Sequence, residues 1–183
     1  LGIGIDTENE LVEIDFSKNH NVLLIDKNID SIIQIIDGYI LMLKIKFSKI
    51  SCNYVYFDTL NIHKQLNKWE YYYQDVKIGL NKIKKDVDQR LDLLNQHNCQ
   101  DIFEYNKKNN GNLDIKFVFV LNLEFFIKEK DNLNTLLYLL QVANICGYNF
   151  IVHYNDEEIL NSSIDSLFEI KLLCKKSSCL SKH

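Results

Sequence analysis

The sequence contains no proline and only 6 glycines, and its five cysteines show no paired spacing. An odd number of cysteines without a CxxC pair argues against a disulfide framework and against a zinc cluster. Unpaired thiols are typical of a reducing compartment, and the five histidines are scattered. We therefore predict neither disulfides nor a bound metal. The cysteines are Cys52, Cys99, Cys146, Cys174 and Cys179.

The sequence also lacks an excess of positive charge. Lysine and arginine number 21 against 25 acidic residues, which gives a net charge of −4 and a pI near 5.7. A nucleic-acid-binding surface needs concentrated basic residues that neutralise phosphates, so we predict no nucleic-acid partner. The local lysine clusters lie among acidic and apolar residues, as on solvated helix faces. They are Lys44, Lys46 and Lys49; Lys82, Lys84 and Lys85; and Lys107 and Lys108.

Long hydrophobic runs are missing as well. The longest apolar stretch, Ile32 to Ile45, is interrupted by Gln34, Asp37 and Lys44. It is too short and too polar to cross a bilayer, and the sequence carries no signal peptide. Direct membrane insertion by this segment is therefore not predicted. Because the chain opens with Leu1 rather than Met, we expect a piece of a larger, multi-domain membrane protein whose anchor lies elsewhere.

What the sequence does contain is an alternation of strand-like and helix-like segments. Its length suits one domain over residues 1–183. Short apolar runs predict strands, and apolar residues at steps of three and four predict helices. Strands alternating with helices indicate crossover units, so we predict a single α/β domain with a largely parallel sheet. Predicted strands cover residues 11–16, 21–25, 53–58, 115–121, 148–154 and 166–173, and predicted helices cover 79–96 and 132–146, the latter capped by Gly147.

The stretch VLLIDKNIDSIIQIIDGYIL, residues 22–41, has the layout of a phosphate-binding loop. A short apolar strand runs into an eight-residue loop, residues 26–33, and a nearly apolar helix follows. In the pattern GxxxxGK[ST], the glycines let backbone N–H groups approach the phosphates. The lysine contacts the β- and γ-phosphates, and the hydroxyl binds magnesium. The loop in this sequence contains no glycine.

Five stretches, in this order along the chain, resemble one family. They are LGIGID…LVEIDF, SIIQIIDGYILMLKIKFS, YVYFD, VDQRLDLLNQHNCQDIFEYN and ICGYNFIVHYN. Together they cover residues 1–173 and are similar to the FtsK/SpoIIIE family of RecA-like motor ATPases, above all to the C-terminal, degenerate ATPase module of EssC-type type VII secretion proteins. The resemblance implies a RecA-like, P-loop NTPase fold with three layers.

The departures from the family pattern fall on the positions that bind phosphate. Asp26 and Ser31 stand at the two glycines, Ile32 stands at the lysine, and Ile33 stands at the Ser/Thr. Asp26 would face a polyanion, and a like-charge pair at ~4 Å costs about 1 kcal/mol in water and more in a cleft. β-branched isoleucine resists the tight turns that glycine permits. The degenerate loop positions, which we expect to be non-functional, are Asp26, Lys27, Asn28, Ser31, Ile32 and Ile33.

The second acidic motif departs in the same way. Its strand should end in Asp-Glu, yet Asn122 and Leu123 stand there. Glu124 comes one residue later, and on a strand that shift would point it to the opposite face. Asn155 replaces the usual sensor Gln, and the arginines common before that strand are absent. A missing arginine finger alone costs roughly 10³- to 10⁵-fold in rate. The resemblance therefore implies a pseudo-ATPase without a cofactor, in which ATP binding is weak or absent.

These departures predict a non-hydrolysing module of a type VII secretion motor rather than an enzyme. The resemblance implies a role in substrate recognition or in regulating a neighbouring active ATPase domain. The implied partners are adjacent ATPase domains of the same chain and small helical WXG-type secreted substrates. The implied location is the cytoplasmic face of the cell membrane, as part of a membrane-anchored parent protein. Candidate contacts, unless they pack against the rim of the sheet, are Trp69, Tyr71, Tyr72 and Tyr73.

Two other functions stay open. An enzyme of another class would use Asp58, His63 and His153 at strand ends, because active sites of parallel sheets lie at the carboxyl ends of strands. No nucleophile–base spacing supports that alternative. A DNA translocase-related or conjugative-transfer FtsK-like domain with residual nucleotide binding is the other alternative. It would need the missing lysine and a basic surface.

Overall fold

A computed structural model describes residues 2–5, 10–13, 21–46, 52–59, 71–155 and 162–173, in which strands alternate with helices. The elements in these ranges are β1 (Gly2–Ile5), β2 (Leu11–Glu13), β3 (Val22–Ile25), α1 (Ile29–Lys46), β4 (Cys52–Asp58), β5 (Tyr71–Tyr73), α2 (Val76–Gln96), α3 (Ile102–Asn109), β6 (Ile115–Leu121), α4 (Glu124–Ile127), α5 (Lys130–Val142), β7 (Tyr148–Tyr154), α6 (Ser162–Asp165) and β8 (Ile170–Leu173).

Six strands form one parallel sheet in the order β5-β4-β6-β7-β3-β8. β1 and β2 form a separate antiparallel pair. The central strands β6 and β7 are buried along almost their whole length, as their continuous apolar sequences predict, and they cover the predicted residues. The predicted α/β class and largely parallel sheet are confirmed. β8 begins later than predicted because α6 and a turn precede it.

The first long helix starts inside the predicted eight-residue loop. α1 begins at Ile29 and not after residue 33, so the prediction of an eight-residue loop was wrong. The loop between β3 and α1 has three residues, Asp26 to Asn28. The physical cause is Asn28, whose side-chain oxygen accepts a hydrogen bond from the Asp30 N–H at 3.0 Å. A side chain that bonds a free amide of the first turn stabilises a helix start.

Helices cover both faces of the sheet, which gives the three predicted layers. On one face the Lys44 ammonium of α1 lies 6.0 Å from the centre of the Tyr54 ring of β4. On the other face α2 approaches so closely that a Cβ on Gly79 would lie 2.3 Å from the ring of Phe57. α5 packs beside α2 on this face. Among the described helices, none is both long and apolar enough to cross a membrane.

The predicted helix over residues 132–146 ends earlier than expected. α5 ends at Val142, and turns follow before β7. Gly147 therefore does not cap the helix. It has a φ of +83°, and a Cβ at this position would lie 2.2 Å from Cδ1 of Ile102. Both the backbone conformation and the space require glycine there.

A buried ion network holds α2 against the amino-terminal ends of β6 and β7. The Arg90 side chain is 6% exposed, and its Nη1 donates to the carbonyls of Asp114 at 2.7 Å and Cys146 at 2.9 Å. Its Nη2 forms an ion pair with the Asp114 carboxylate, and its Nε lies 2.9 Å from the Asp86 carboxylate. The guanidinium thus bonds the two turns that lead into the central strands.

Two further groups bind the same Asp86 carboxylate. The Lys116 ammonium donates to it at 2.9 Å, and the Tyr148 hydroxyl also donates to it. Burial alone would raise the pKa of Asp86. The hydrogen bonds from Tyr148 and Lys116, together with the charge of Arg90, bring that pKa below its ordinary value. The carboxylate is therefore held in its charged form.

Replacing Arg90 with methionine should destabilise the fold strongly. The variant Arg90→Met keeps an apolar stem but removes the donor that the Asp114 and Cys146 carbonyls share. It also removes the positive charge beside the Asp86 and Asp114 carboxylates. Breaking a buried pair on one side costs about 3–5 kcal/mol, to be measured by urea unfolding. The matched control is Lys84→Met, because the Lys84–Asp88 pair is 43% and 41% exposed and an exposed pair contributes about 0–1 kcal/mol. Equal losses in the two variants would contradict a structural role for the network.

Candidate functional site

The carboxyl ends of β3, β6 and β7 meet at one edge of the sheet, where the residues aligned with both family motifs lie. β7 is hydrogen-bonded to β3 on one side and to β6 on the other. Asp26 follows β3, Asn122 follows β6 and Asn155 follows β7. Ligands of open α/β sheets bind at this edge. In the sequence, each motif could only be aligned separately. The structure shows that residues of both motifs lie at the same edge of the sheet.

In the loop after β3, side chains of the protein accept hydrogen bonds from backbone N–H groups. The Asp26 carboxylate accepts a hydrogen bond from the Asn28 N–H at 2.8 Å, and the Asn28 side chain accepts one from the Asp30 N–H. The Asn28 carbonyl accepts from the Ile32 N–H at 3.3 Å. A helix N-terminus binds phosphate only when such amides point at the ligand. This loop is arranged as a capped helix start.

The position of the missing lysine belongs to the hydrophobic core. The Ile32 side chain is fully buried, and Ser31 and Ile33 are half-buried in the first turns of α1. The Lys27 side chain is exposed. Burying an isoleucine contributes about 1.5–3 kcal/mol. Ile32 therefore stabilises the packing of α1 at the place where the family's lysine would extend towards a phosphate.

At the end of β6 the chain turns at Asn122. Its φ of +61° lies in the left-handed region, which asparagine tolerates better than most residues. Its N–H donates to Nδ1 of His153 at 3.3 Å, and its buried Oδ1 accepts no hydrogen bond. Leu123 is fully buried, and its N–H donates to the His153 carbonyl at 2.9 Å. Neither position presents a carboxylate to this edge.

Glu124 is placed differently from its prediction. β6 ends at Leu121 and Glu124 begins α4, so the alternation of a strand does not govern its direction. Its carboxylate accepts a hydrogen bond from Nδ2 of Asn155 at 3.0 Å. The prediction that Glu124 points to the opposite face was wrong because the turn at Asn122 ends the strand. Glu124 faces the sensor position across the edge.

His153 joins the two motifs, and sequence reasoning gave it no such role. Its ring is fully buried, with Nδ1 on the Asn122 N–H and Nε2 at 2.9 Å from the Asp26 carbonyl oxygen. Because an amide donates and a carbonyl accepts, the ring is neutral with its proton on Nε2. Burial lowers the pKa of His153 below its ordinary value, and the Asp26 hydrogen bond and the nearby Glu124 carboxylate oppose this only in part. In the sequence, the indication of this role was the position of His153 near the end of a predicted strand.

The remaining candidate residues pack elsewhere along the sheet. β6 separates Asp58 of β4 from His153 of β7, which places their backbones about 10 Å apart. The Tyr72 hydroxyl donates to Asp58 at 2.8 Å, and the Tyr73 ring lies 5.5 Å from the Phe57 ring. Both tyrosines therefore pack against the rim of the sheet, as the alternative interpretation predicts. Outside the described part lie His63, Trp69 and the side chain of Tyr71.

Comparison with known proteins identifies this architecture. No protein-family model matches the sequence, and no curated protein is significantly similar to it. The cytoplasmic domain of EssC superposes with a TM-score of 0.74 at 15% identity, over 94% of this chain and 36% of the chain in that structure. The pCW3 conjugation coupling protein TcpA, in its monomer form with ATPγS, gives 0.73 at 16% identity over 94% and 53%. Thermomonospora curvata EccC, ATPases 2 and 3 in complex with a signal sequence peptide, gives 0.65 at 15% identity over 94% and 33%.

These neighbours are FtsK/SpoIIIE-type ATPases, and the likeness confirms the predicted RecA-like, P-loop NTPase fold. At such low identity the likeness concerns the fold. The chain spans between a third and about half of the length of the three structures.

The left-handed turn at Asn122 should tolerate glycine but not alanine. Asn122→Gly removes a side-chain oxygen that accepts no hydrogen bond, and glycine adopts positive φ without strain. We expect its free energy of unfolding to stay within about 1 kcal/mol of wild type. Asn122→Ala places a Cβ in the unfavourable region without the adaptable amide, and should lose about 1–2 kcal/mol more than the glycine variant. Urea unfolding of the three proteins measures the difference, and equal stability of the two variants would contradict a constrained turn.

Proposed function

We propose that the chain is a non-hydrolysing, P-loop-derived module of a type VII secretion motor. The observation that carries this proposal is the loop after β3, where Asp26 and Asn28 occupy backbone amides and Ile32 packs into the core. Phosphoryl transfer depends on amides, a cation and a metal arranged around the phosphates. In this loop the Asp26 and Asn28 side chains bond the amides, and the apolar Ile32 side chain stands in place of the cation.

The end of β6 supports the same proposal. A hydrolysing site needs a carboxylate that holds magnesium and a base that positions the attacking water. Asn122 supplies an uncharged amide, and Leu123 is buried in the core. Glu124 is the nearest carboxylate along the chain, and it is hydrogen-bonded to Asn155. With no charged group at either family position, hydrolysis would have neither its metal ligand nor its base.

The role in secretion is proposed from the structural neighbours. EssC and EccC include the ATPases 2 and 3, and the EccC structure contains a signal sequence peptide. A module that no longer turns over ATP keeps its surfaces, so we propose that it recognises WXG-type substrates or regulates an adjacent active ATPase domain. Its parent protein would be anchored in the membrane with this module on the cytoplasmic face.

A second candidate function is a conjugative-transfer module with residual nucleotide binding. It is favoured by the similarity to TcpA, a conjugation coupling protein whose structure contains ATPγS. The composition speaks against contact with DNA, because the net charge is −4 and DNA-binding surfaces are basic. Nucleotide binding separates the two candidates directly.

Titration of the protein with Mg–ATP by calorimetry should give no binding up to millimolar nucleotide. The variant Asp26→Ala frees the Asn28 amide and removes a negative charge, but Ile32 still offers no cation, so it should not bind either. An active FtsK-type ATPase measured in the same buffer is the positive control. Micromolar binding or phosphate release by the wild-type protein would contradict the proposal and favour the conjugative alternative.

Substrate recognition is tested separately by peptide binding. A fluorescently labelled peptide from the C-terminal signal of a WXG-type substrate should bind with a Kd in roughly the micromolar range, which corresponds to about −8 kcal/mol. A scrambled peptide of the same composition is the control. Absence of binding would leave regulation of a neighbouring ATPase domain as the role and would not affect the nucleotide result.

A further inference from the structure

The buried His153 ring forms a physical link between two chain segments that follow non-adjacent strands of the sheet. Its Nε2 bonds the Asp26 carbonyl, at the start of the loop before α1, and its Nδ1 bonds the Asn122 N–H, at the end of β6. The ring thereby connects the segments that follow β3 and β6, on either side of its own strand β7, at the carboxyl edge. Only the bond from the Asn122 N–H depends on the ring being neutral, because Nδ1 must accept it.

We propose that His153 is a proton-operated latch that releases the Asn122 amide at this edge of the sheet when the ring takes up a second proton. A protonated imidazole carries N–H groups on both nitrogens and can no longer accept from the Asn122 N–H. Two donors would then face each other in a buried site. The side-chain link to Asn122 is lost. The bond from Nε2–H to the Asp26 carbonyl and the backbone bond from the Leu123 N–H to the His153 carbonyl can persist.

A carboxylate near the ring offers the protonated imidazole a different hydrogen-bond acceptor. Among the described residues, two carboxylates lie near the imidazole: Asp26 on the loop after β3, and Glu124 at the start of α4. Glu124 now accepts from Asn155, and a carboxylate can accept several hydrogen bonds. An imidazolium turned towards Glu124 would exchange a neutral hydrogen bond for a charge-assisted one.

Opening would change what the edge presents to a ligand or a partner. Release from His153 frees the Asn122 N–H, next to the Asn122 Oδ1, which accepts no hydrogen bond in the closed form. Two adjacent polar groups at the end of β6 would then become available at the edge where parallel α/β sheets bind ligands. The latch therefore couples proton uptake to access to the remnant of the nucleotide site.

The sign of the pH dependence follows from burial. The closed ring has a pKa below its ordinary value, whereas an open, solvated ring returns to about 6.5. Opening then takes up a proton below that pH and becomes more favourable as the pH falls. Between pH 7.5 and 5.5 the opening equilibrium should rise by a factor of up to about ten, the limit set by the ordinary pKa of the open ring.

Amide hydrogen exchange by NMR tests this on the whole chain. After correction for the intrinsic pH dependence, protection of the Asn122 amide should fall between pH 7.5 and 5.5 by a factor of up to about ten. It should also stay well below the protection of Val118, a buried residue in the middle of β6. If the Asn122 amide exchanges with the same protection as Val118 at every pH, it opens only by global unfolding, and the proposal is wrong.

Two variants separate a latch from a merely structural histidine. His153→Gln keeps a donor for the Asp26 carbonyl but cannot be protonated, so protection of Asn122 should no longer depend on pH. His97→Gln, at an exposed position, should keep the wild-type dependence. In Glu124→Gln the acceptor for Asn155 remains but the negative charge is lost, so the NMR titration midpoint of His153 should move to lower pH. A pH dependence that survives in His153→Gln would overturn the proposal.

Discussion

The first amides of a helix must be hydrogen-bonded, and the arrangement of this edge follows from how α1 meets that requirement. In a phosphate-binding loop the ligand takes up such amides. Here Asp26 and Asn28 accept hydrogen bonds from them, and the helix begins at Ile29 as a result. A short capped loop fixes the position of the Asp26 carbonyl, to which the His153 ring is bonded. The early start of α1 and the loop without glycine therefore have the same cause, the hydrogen bonds that the Asp26 and Asn28 side chains accept from backbone N–H groups.

At the same edge, two positions that align with the family's catalytic motifs belong to the hydrophobic core. Ile32 and Leu123 stand at the family's lysine and second acidic position, and both side chains are fully buried. Charged residues at those positions would have to remain near solvent or a ligand, since burying an unpaired charge is very costly. Apolar replacements remove that cost and add packing energy. In the proposed non-hydrolysing module, the residues that stand in place of the catalytic groups also stabilise the fold.

The sequence predicted elements whose signal is local and missed features that depend on distant contacts. The limits of β6 and β7 could be predicted because both are short continuous apolar runs. The start of α1 could not be predicted, because it depends on the hydrogen bond that the Asn28 side chain accepts from the Asp30 N–H. An alignment with the P-loop pattern gives no sign of that bond. The link made by His153 was beyond reach, because its two partners lie 127 and 31 residues away in sequence. Glu124 was misplaced because the left-handed turn at Asn122 gives no periodic signal.

The place of β3 in the sheet has a consequence for synthesis on the ribosome. β3 pairs only with β7 and β8 among the described strands, and Ile25 pairs with Tyr154, 129 residues later. At about 5–20 residues per second, β3 waits roughly 6–26 s for its first partner in the sheet. During that interval α1 can pack against β4, which follows it directly in the chain, whereas β3 has no paired strand. β3 is therefore an unpaired strand of the nascent chain for longer than β4, whose Val55 pairs with Tyr71, 16 residues later.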